Sequence, residues 1–199
     1  MKVHKMFHSI QGEGYHMGKS AFFIRFYGCN LRCSFCDTKL PETWKEMDLP
    51  EIMDVVAKQS CKHIVLTGGE PLIQSGIEDL IHALLVEDYF VQVETNGTCD
   101  YDASSRYVDS GDKNLWFTCS PKPDSGYKIN PHLLFAIKEL KYIVTQELEL
   151  EHIENEEGLL VWLQPQAGWE YSIMKALRLI RECNRLRLGI QAHKFWDIE

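Results

Sequence analysis

The sequence predicts a single α/β domain over residues 1–199, an open, six-stranded partial (β/α) barrel with few helices. Three observations support this class. Short apolar, strand-like runs recur along the chain, helix-like segments follow several of them, and polar residues with glycine or proline mark the strand ends. The carboxyl ends of parallel strands share one edge of a sheet, where such proteins build their active sites. The strand–helix repeats are too few for a complete barrel of eight strands and eight helices.

The candidate strands are runs rich in branched and aromatic residues. They span 21–27, 63–66, 90–94, 114–119, 139–144, 159–163 and 187–191, after a possible short strand within 3–14. In the first of these runs, alternation places Phe22, Ile24 and Phe26 on one face and Phe23, Arg25 and Tyr27 on the other. An arginine among so many aromatic residues needs a negative partner, either an internal acid or a bound anion.

The helices are expected between these strands. Asp48 and Glu51 form an N-terminal capping pattern ahead of an apolar stripe, and Ser75 with Glu78 suggests another cap for a helix over 76–87. Further helices are expected at 131–138, 147–155 and 172–184, and 100–112 is expected to be an irregular connection.

The composition restricts the functional classes. Hydrophobic residues make up 45% of the chain and charged residues 25%, as in ordinary globular proteins. The net charge of −8 argues against nucleic acid as the main partner. We expect neither secretion nor a membrane span, because no signal-like or long apolar run occurs. Seven cysteines, an odd number with three clustered, suit a reducing cytoplasm.

The three clustered cysteines have the spacing C-x3-C-x2-C at Cys29, Cys33 and Cys36. Thiolates bind zinc or iron–sulfur clusters, but a structural zinc site normally has four protein ligands. Three thiolates on a [4Fe–4S] cluster leave one iron open. Buried or zinc-bound cysteines are the alternative interpretation. The scattered residues Cys61, Cys99, Cys119 and Cys183 are expected in the core.

The spacing of these cysteines resembles that of radical S-adenosylmethionine (SAM) enzymes. The segment Phe7-x-Ser9-x-Gln11-Gly12-Glu13-Gly14 resembles the N-terminal signature of the 7-carboxy-7-deazaguanine synthase family in that superfamily. Other matching segments are Thr67-Gly68-Gly69-Glu70-Pro71, Ser120-Pro121-Lys122, Gln164-Pro165-Gln166-Ala167 and Gln191-Ala192-His193-Lys194. Ala192 stands where the family usually has threonine. The resemblance implies a partial barrel of radical SAM type.

The resemblance also implies the cofactors and their ligands. A [4Fe–4S] cluster would bind Cys29, Cys33 and Cys36, and Thr38 would bind Mg²⁺ unless it is a helix N-cap. The SAM contacts would be Phe35, Asp37, Gly69, Glu70, Ser120, Pro121, Lys122, Gln164, Pro165, Gln166 and Ala167. The substrate contacts would be Ile10, Gln11, Gly12, Arg25, Thr67, His193 and Glu199, with Arg25 facing the substrate carboxylate.

The implied reaction converts 6-carboxy-5,6,7,8-tetrahydropterin to 7-carboxy-7-deazaguanine by radical ring contraction with loss of ammonia. This is a carbon–nitrogen lyase step of 7-deazapurine (queuosine) biosynthesis. Glu94, at a strand end, is a candidate for proton transfer. The implied partners are the pterin, a flavodoxin or ferredoxin as electron donor, and a second copy of the chain in a homodimer. Alternatives are a radical SAM activase of a partner protein and a non-enzymatic metal-binding module.

Replacing Cys33 with alanine should abolish both the cluster and SAM cleavage, because two thiolates cannot hold four irons with one site open. Iron and sulfide analysis and SAM cleavage after anaerobic reconstitution test this expectation. The control, Cys183→Ala, should keep its cluster. A normal cluster spectrum and turnover in Cys33→Ala would refute the assignment.

Overall fold

A computed structural model of the chain describes residues 1–36, 43–101, 113–153 and 158–198. The strands in these segments are β1 (Lys2–Ile10), β2 (Ser20–Phe26), β3 (Lys45–Glu46), β4 (His63–Gly68), β5 (Phe90–Thr95), β6 (Leu115–Cys119), β7 (Ile137–Val144), β8 (Leu160–Pro165) and β9 (Leu186–Leu188). The α-helices there are α1 (Leu49–Val56), α2 (Ile77–Val86), α3 (Pro131–Leu134), α4 (Ser172–Glu182) and α5 (Ala192–Phe195).

All of these strands belong to one open sheet with the order β3-β1-β2-β4-β5-β6-β7-β8-β9. The strands from β2 to β9 in this order run parallel, whereas β1 pairs antiparallel with β2 and β3 antiparallel with β1. The predicted α/β class, an open parallel sheet with few helices, is confirmed. The parallel strands β2, β4, β5, β6, β7 and β8 form the predicted six-stranded partial barrel, which β9 extends at one edge and the antiparallel strands β1 and β3 extend at the other.

The two faces of the sheet differ in polarity. Alternate residues such as Ile24, Leu66 and Phe117 point to the helix side, where they form the main apolar core with α1, α2 and α4. On the opposite face, the described residues form a small buried apolar cluster of Ala21, Phe23 and Val65. The predicted alternation in β2 is confirmed. The opposite face of the sheet, which lies away from the main core, is therefore available for a functional site.

Two of the predicted helices agree closely with the structure. The N–H of Glu51 donates to the Asp48 side chain (2.9 Å) and the Asp48 N–H to the Glu51 side chain (3.0 Å), so the predicted capping box of α1 is confirmed. Helix α4 matches the prediction for 172–184 within two residues. None of the helices in the described segments has the length and hydrophobicity needed to cross a lipid bilayer.

The predictions for the other helices need correction. No side chain caps α2, because Gly76 takes a left-handed conformation at its N-cap. Helix α3 ends at Leu134 because the chain becomes extended again at Ile137, inside the helix predicted over 131–138. In the described part of 147–155 there is only a 3₁₀ turn, Leu150–His152, closed by a 3.0 Å bond from the Glu149 N–H to the His152 ring. Most of the irregular connection at 100–112 lies outside the described residues.

The inner loop, residues 11–19 between β1 and β2, folds across the polar face of the sheet. Its ends are joined by bonds from the Gln11 N–H to the Lys19 carbonyl and from the Gly18 N–H to the Gln11 carbonyl, both 2.8 Å. The ring of His16 packs edge-on against His63, Phe90 and Trp116, which lie at the amino ends of β4, β5 and β6. The inner loop therefore fills the amino end of the partial barrel.

A buried carboxylate on β7 holds the inner loop in place. Glu139 accepts hydrogen bonds from the Tyr15 N–H (2.8 Å), the Thr118 hydroxyl (2.7 Å), and the indole N–H groups of Trp116 (3.1 Å) and Trp162 (2.8 Å). A methyl group on Gly14 (φ +68°) would stand 2.7 Å from one of the carboxylate oxygens. Glycine is therefore required where the loop passes over Glu139.

Lowering the pH should destabilise the fold through the inner loop. Burial lowers the pKa of His16 from 6.5 to about 4, with the nearby charges of Lys19 and His63 adding to the effect, and burial also lowers the pKa of His63 to about 4. As the pH falls below 6.5, these two histidines bind protons in the unfolded chain before they do so in the folded protein, which favours unfolding. For His16 this linkage amounts to about 3 kcal/mol of unfolding free energy between pH 7 and pH 4.

The variant His16→Phe should lose less unfolding free energy over this pH range than the wild type, as measured by urea denaturation in parallel. The variant His8→Phe, changed at an exposed position of β1, should keep the wild-type pH dependence. Equal pH dependence in all three proteins would contradict the assignment.

Candidate active site

A cavity of about 740 Å³ lies at the carboxyl ends of the central parallel strands. Its volume is within the range of roughly 300–1,000 Å³ that is usual for small-molecule sites. The predicted site residues that line it are Ile10, Gln11, Gly12, Arg25, Cys29, Cys33, Phe35, Cys36, Thr67, Gly69, Glu94, Ser120, Lys122, Gln166, Ala167 and His193.

Other predicted residues lie away from this wall or beyond the described segments. The cavity lining does not include Glu70, Pro121, Gln164 and Pro165. Gln164 is fully buried, and neither polar atom of its amide has a hydrogen-bond partner within the described residues. The predicted residues outside the described segments are Asp37, Thr38 and Glu199.

The cysteine loop, residues 28–36, supplies three thiols to the cavity wall. Cys29 and Cys36 are exposed, whereas burial raises the pKa of Cys33 to about 12, an effect strengthened by a hydrogen bond to Asp124. No three His, Cys, Asp or Glu side chains within the described residues converge as a single metal ion requires. A four-iron cluster binds each thiolate through a different iron, so three separated sulfurs fit a cluster better than one zinc ion.

The turn after β4 docks on the cysteine loop through backbone contacts. The Gly69 N–H donates to the Phe26 carbonyl (3.2 Å) and the Glu70 N–H to the Gly28 carbonyl (2.8 Å). A methyl group on Gly69 would lie 1.8 Å from that Gly28 oxygen, and one on Gly68 (φ +129°) 2.2 Å from the Phe26 oxygen. Only glycine fits at both positions, so this turn and the cysteine loop have a fixed spacing.

The carboxylate of Glu70 connects two strand ends. It accepts bonds from the Thr95 hydroxyl (2.7 Å) and from the N–H groups of Asn96 (2.7 Å) and Leu72 (3.1 Å). Burial raises its pKa, and these donors oppose that shift. Its side chain therefore ties β4 to β5, and the cavity-facing part of this predicted SAM motif is Gly68 and Gly69.

A buried ammonium group joins two acids inside the cavity. Lys141, on β7, donates to Glu94 (2.8 Å) and to Glu13. The other oxygen of Glu94 accepts from the amides of Gln11 (3.1 Å) and Gln92 (3.0 Å). Three side chains from three separate parts of the chain, Gln11, Gln92 and Lys141, thus hold the Glu94 carboxylate, and Glu13 shares its ammonium partner.

The two acids differ in their affinity for a proton. Burial opposes ionisation of Glu13, but the charge and hydrogen bond of Lys141, together with Gln191, lower its pKa to about 2. Burial raises the pKa of Glu94, despite the opposing charge of Lys141. Burial also disfavours the charged form of Lys141, yet Glu13 and Glu94 raise its pKa. Glu13 and Lys141 are therefore ionised, and Glu94 is the acid of the two with the higher affinity for a proton.

The segment after β9 closes the cavity against the inner loop. The Ala192 N–H donates to the Gly12 carbonyl (2.9 Å), and the Gln191 amide donates to Glu13 (2.8 Å). The His193 ring nitrogen lies 4.0 Å from Glu13, and a methyl group on Gly12 would stand 2.5 Å from the same ring. The two predicted substrate motifs, though far apart in sequence, are therefore in direct contact.

Several residues of this site were not assigned by the sequence analysis. Glu13 lies in the glycine-rich signature and Gln191 in the Gln191 to Lys194 segment, but neither motif predicts a contact for these two side chains. The sequence places Lys141 within a strand and predicts no partner for it. The available signal was the alternation of Glu139 and Lys141 within the otherwise apolar run of β7, which points two charges to the same face.

The open parallel sheet, with a three-cysteine loop at the carboxyl ends of its strands, is typical of radical SAM proteins. The profile of the radical SAM superfamily matches residues 23–189. This match implies a [4Fe–4S] cluster and SAM, and the three thiols beside a large cavity fit both.

Full-length relatives define the family more closely. The chain is 35% identical to the 7-carboxy-7-deazaguanine synthase of Aquifex aeolicus, over 99% of this chain and 94% of the relative. It is 36% identical to that of Bacteroides thetaiotaomicron, over 99% and 98%. The crystal structure of QueE from Escherichia coli superposes with a TM-score of 0.77 at 25% identity, covering 96% and 94% of the two chains. The chain belongs to the 7-carboxy-7-deazaguanine synthase family of the radical SAM superfamily.

Removing the ammonium group of Lys141 should strongly destabilise the protein, because two acids would be left close together without a buried counter-charge. We expect Lys141→Met to lower the unfolding free energy by about 3–5 kcal/mol. Adding Glu94→Gln should restore part of this loss. Urea denaturation of the three proteins measures both effects.

A matched control is Arg178→Met, which breaks ion pairs with Glu149 and Glu182 on the surface. Because water screens exposed charges, its effect should be much smaller. A similar loss in Arg178→Met and Lys141→Met would show that burial of the Lys141 cluster is unimportant.

Proposed function

We propose that this enzyme converts 6-carboxy-5,6,7,8-tetrahydropterin to 7-carboxy-7-deazaguanine and ammonia. The observation that carries the proposal is the meeting of three separate motifs in one cavity. These are the glycine-rich signature before β2, the three cysteines, and the Gln191 to Lys194 segment. Full-length relatives with this activity in their names support the same reaction. A single domain of 199 residues would then perform it.

The proposed cofactor site lies on the side of the cavity formed by the cysteine loop. Cys29, Cys33 and Cys36 would hold the cluster, which together with SAM supplies a radical that removes a hydrogen atom from the substrate. The residues proposed to contact SAM are Phe35, Asp37, Gly69, Glu70, Ser120, Pro121, Lys122, Gln164, Pro165, Gln166 and Ala167. Of these, Lys122 donates to the Ser120 hydroxyl (2.6 Å), and burial lowers its pKa.

The proposed substrate site lies on the other side of the cavity, next to residues 11–13 of the inner loop. Arg25 lines the cavity 5.7 Å from the Phe7 ring, and its guanidinium fork suits the carboxylate of the pterin. The remaining proposed contacts are Ile10, Gln11, Gly12, Thr67, His193 and Glu199. Together these residues would orient the ring against the cofactor side.

Glu94 is the proposed proton-transfer residue. Its burial raises its pKa, and three donors hold its carboxylate in a single position. A carboxyl group whose pKa is raised by burial can give or take a proton during a reaction. The loss of ammonia requires such a proton for the leaving nitrogen. Lys141 and Glu13 would keep the carboxyl group correctly placed.

Three further components belong to the proposal. Thr38 would bind Mg²⁺ together with substrate oxygens. A flavodoxin or ferredoxin in the cytoplasm would supply the electron. A homodimer would cover part of the apolar surface that Leu188, Ile190, Phe195 and Trp196 expose near the β9 edge. An activase of a partner protein is the less favoured function, because the named full-length relatives are synthases.

Anaerobic turnover with the carboxytetrahydropterin, followed by mass spectrometry, tests the reaction directly. In the same assay, Arg25→Ala should raise the KM for the pterin far more than that for SAM. Loss of one partner of a desolvated ion pair costs about 2–5 kcal/mol, which corresponds to at least a tenfold rise in KM.

The surface variant Arg178→Ala serves as the control and should leave both KM values unchanged. An unchanged pterin KM in folded, cluster-loaded Arg25→Ala would assign Arg25 to a structural contact. Absence of the deazaguanine product from active, SAM-cleaving wild type would overturn the proposed reaction itself.

A further inference from the structure

The thiol of Cys29 is within hydrogen-bond distance of two N–H donors. The backbone N–H of Leu31 lies 3.4 Å from its sulfur, and the side-chain amide of Asn96 lies 3.8 Å from it. Asn96 comes directly after β5, is only 6% exposed and lines the cavity. The first donor belongs to the cysteine loop itself, whereas the second comes from a different strand end.

A closed set of contacts fixes the orientation of the Asn96 amide. Its oxygen accepts from both the N–H (2.9 Å) and the hydroxyl (2.6 Å) of Thr98. Its nitrogen donates to the Asn30 side-chain oxygen (2.9 Å), and the Asn30 amide donates to the Thr98 hydroxyl (2.7 Å). Because both donors of Thr98 face one end of the amide, its N–H₂ end must face Cys29.

The backbone of Asn96 is fixed as well. Its N–H donates to the buried carboxylate of Glu70 (2.7 Å), which is also bonded to Thr95 and to the turn after β4. That turn docks on the cysteine loop through Gly69. The donor and the thiol are therefore held by the same rigid unit, and a large rearrangement is not needed to bring them together.

We propose that Asn96 is a positioning residue that raises the reduction potential of the cluster by donating an N–H to the Cys29 sulfur. Reduction adds negative charge to the cluster and its thiolates, so a donor at a ligating sulfur stabilises the reduced state more than the oxidised state. Thr98 and Asn30 orient the amide for this purpose. The proposal rests on the cluster implied by the family and does not depend on the identity of the substrate.

The test is a redox titration of the reconstituted, full-length protein. The midpoint potential is read from the electron paramagnetic resonance signal of the reduced cluster, after iron and sulfide analysis of every variant. Asn96→Asp keeps the shape of the side chain but replaces the donor by a negative oxygen, so its midpoint should shift to more negative potential. Asn96→Ala should shift in the same direction by a smaller amount.

The matched control is Asn114→Asp, which makes the same charge change at the amino end of β6, where Asn114 donates to Asp88. Its midpoint should equal that of the wild type. Thr98→Val provides an independent variant, because it removes one of the two donors that orient the Asn96 amide, together with the acceptor of the Asn30 amide, and leaves Asn96 itself in place. Its midpoint should also shift to more negative potential.

Wild-type midpoints in cluster-loaded Asn96→Asp and Asn96→Ala would overturn the proposal. If the Asn96 variants fail to retain four irons, the midpoint potential of Thr98→Val tests the proposal instead. An unchanged midpoint in Thr98→Val would then overturn the proposal. A negative shift together with absence of the deazaguanine product would retain this proposal while rejecting the proposed reaction. Normal product formation with unchanged midpoints would reject this proposal while retaining the proposed reaction.

Discussion

The carboxylate of Glu139 lies in the interior of the partial barrel with four hydrogen-bond donors around it. A buried charge is tolerated only when it is well satisfied, and here the donors come from β6, β8 and the inner loop. Glu139 thereby joins three elements on the face of the sheet opposite the main apolar core. The inner loop depends on it, since the Tyr15 N–H and the close approach of Gly14 both involve this carboxylate.

Lys141 lies two residues further along β7 and donates to Glu13 of the inner loop. The alternation of a strand directs both side chains to one face about 7 Å apart, so one strand tethers the loop at two points. The Glu139 carboxylate accepts hydrogen bonds from uncharged donors, whereas the Glu13 carboxylate is paired with the ammonium group of Lys141. Strand β7 therefore supplies both the support of the inner loop and the ammonium partner of Glu94.

The features that the sequence predicted best are local. The capping box at Asp48 and Glu51 depends on residues three positions apart, and the alternation in β2 on a period of two, so both are visible in the sequence. The cysteine spacing and the glycine pair after β4 are likewise local, and most of the residues predicted from these motifs line the cavity.

The features that the sequence did not predict depend on distant partners. Nothing near Lys141 in the sequence indicates that Glu13 and Glu94 surround it, since those acids are 128 and 47 positions away. The helix expected over 147–155 had suitable residues, but its described part is limited to a tight turn closed by His152. The strand expected over 187–191 is shorter in the structure, because β9 pairs with β8 only at Leu186, Arg187 and Leu188.

The bond between the Ala192 N–H and the Gly12 carbonyl joins residues that are synthesised at nearly opposite times. A nascent chain can form β1 and the inner loop early, but Glu13 gains its Gln191 partner only after strand β9 has been translated. Contacts with such large sequence separation form late, because the entropy of closing the chain must be overcome first. This part of the cavity wall can therefore close only after residues 191 and 192 have been synthesised, so a cluster assembled earlier would meet an open and water-accessible site.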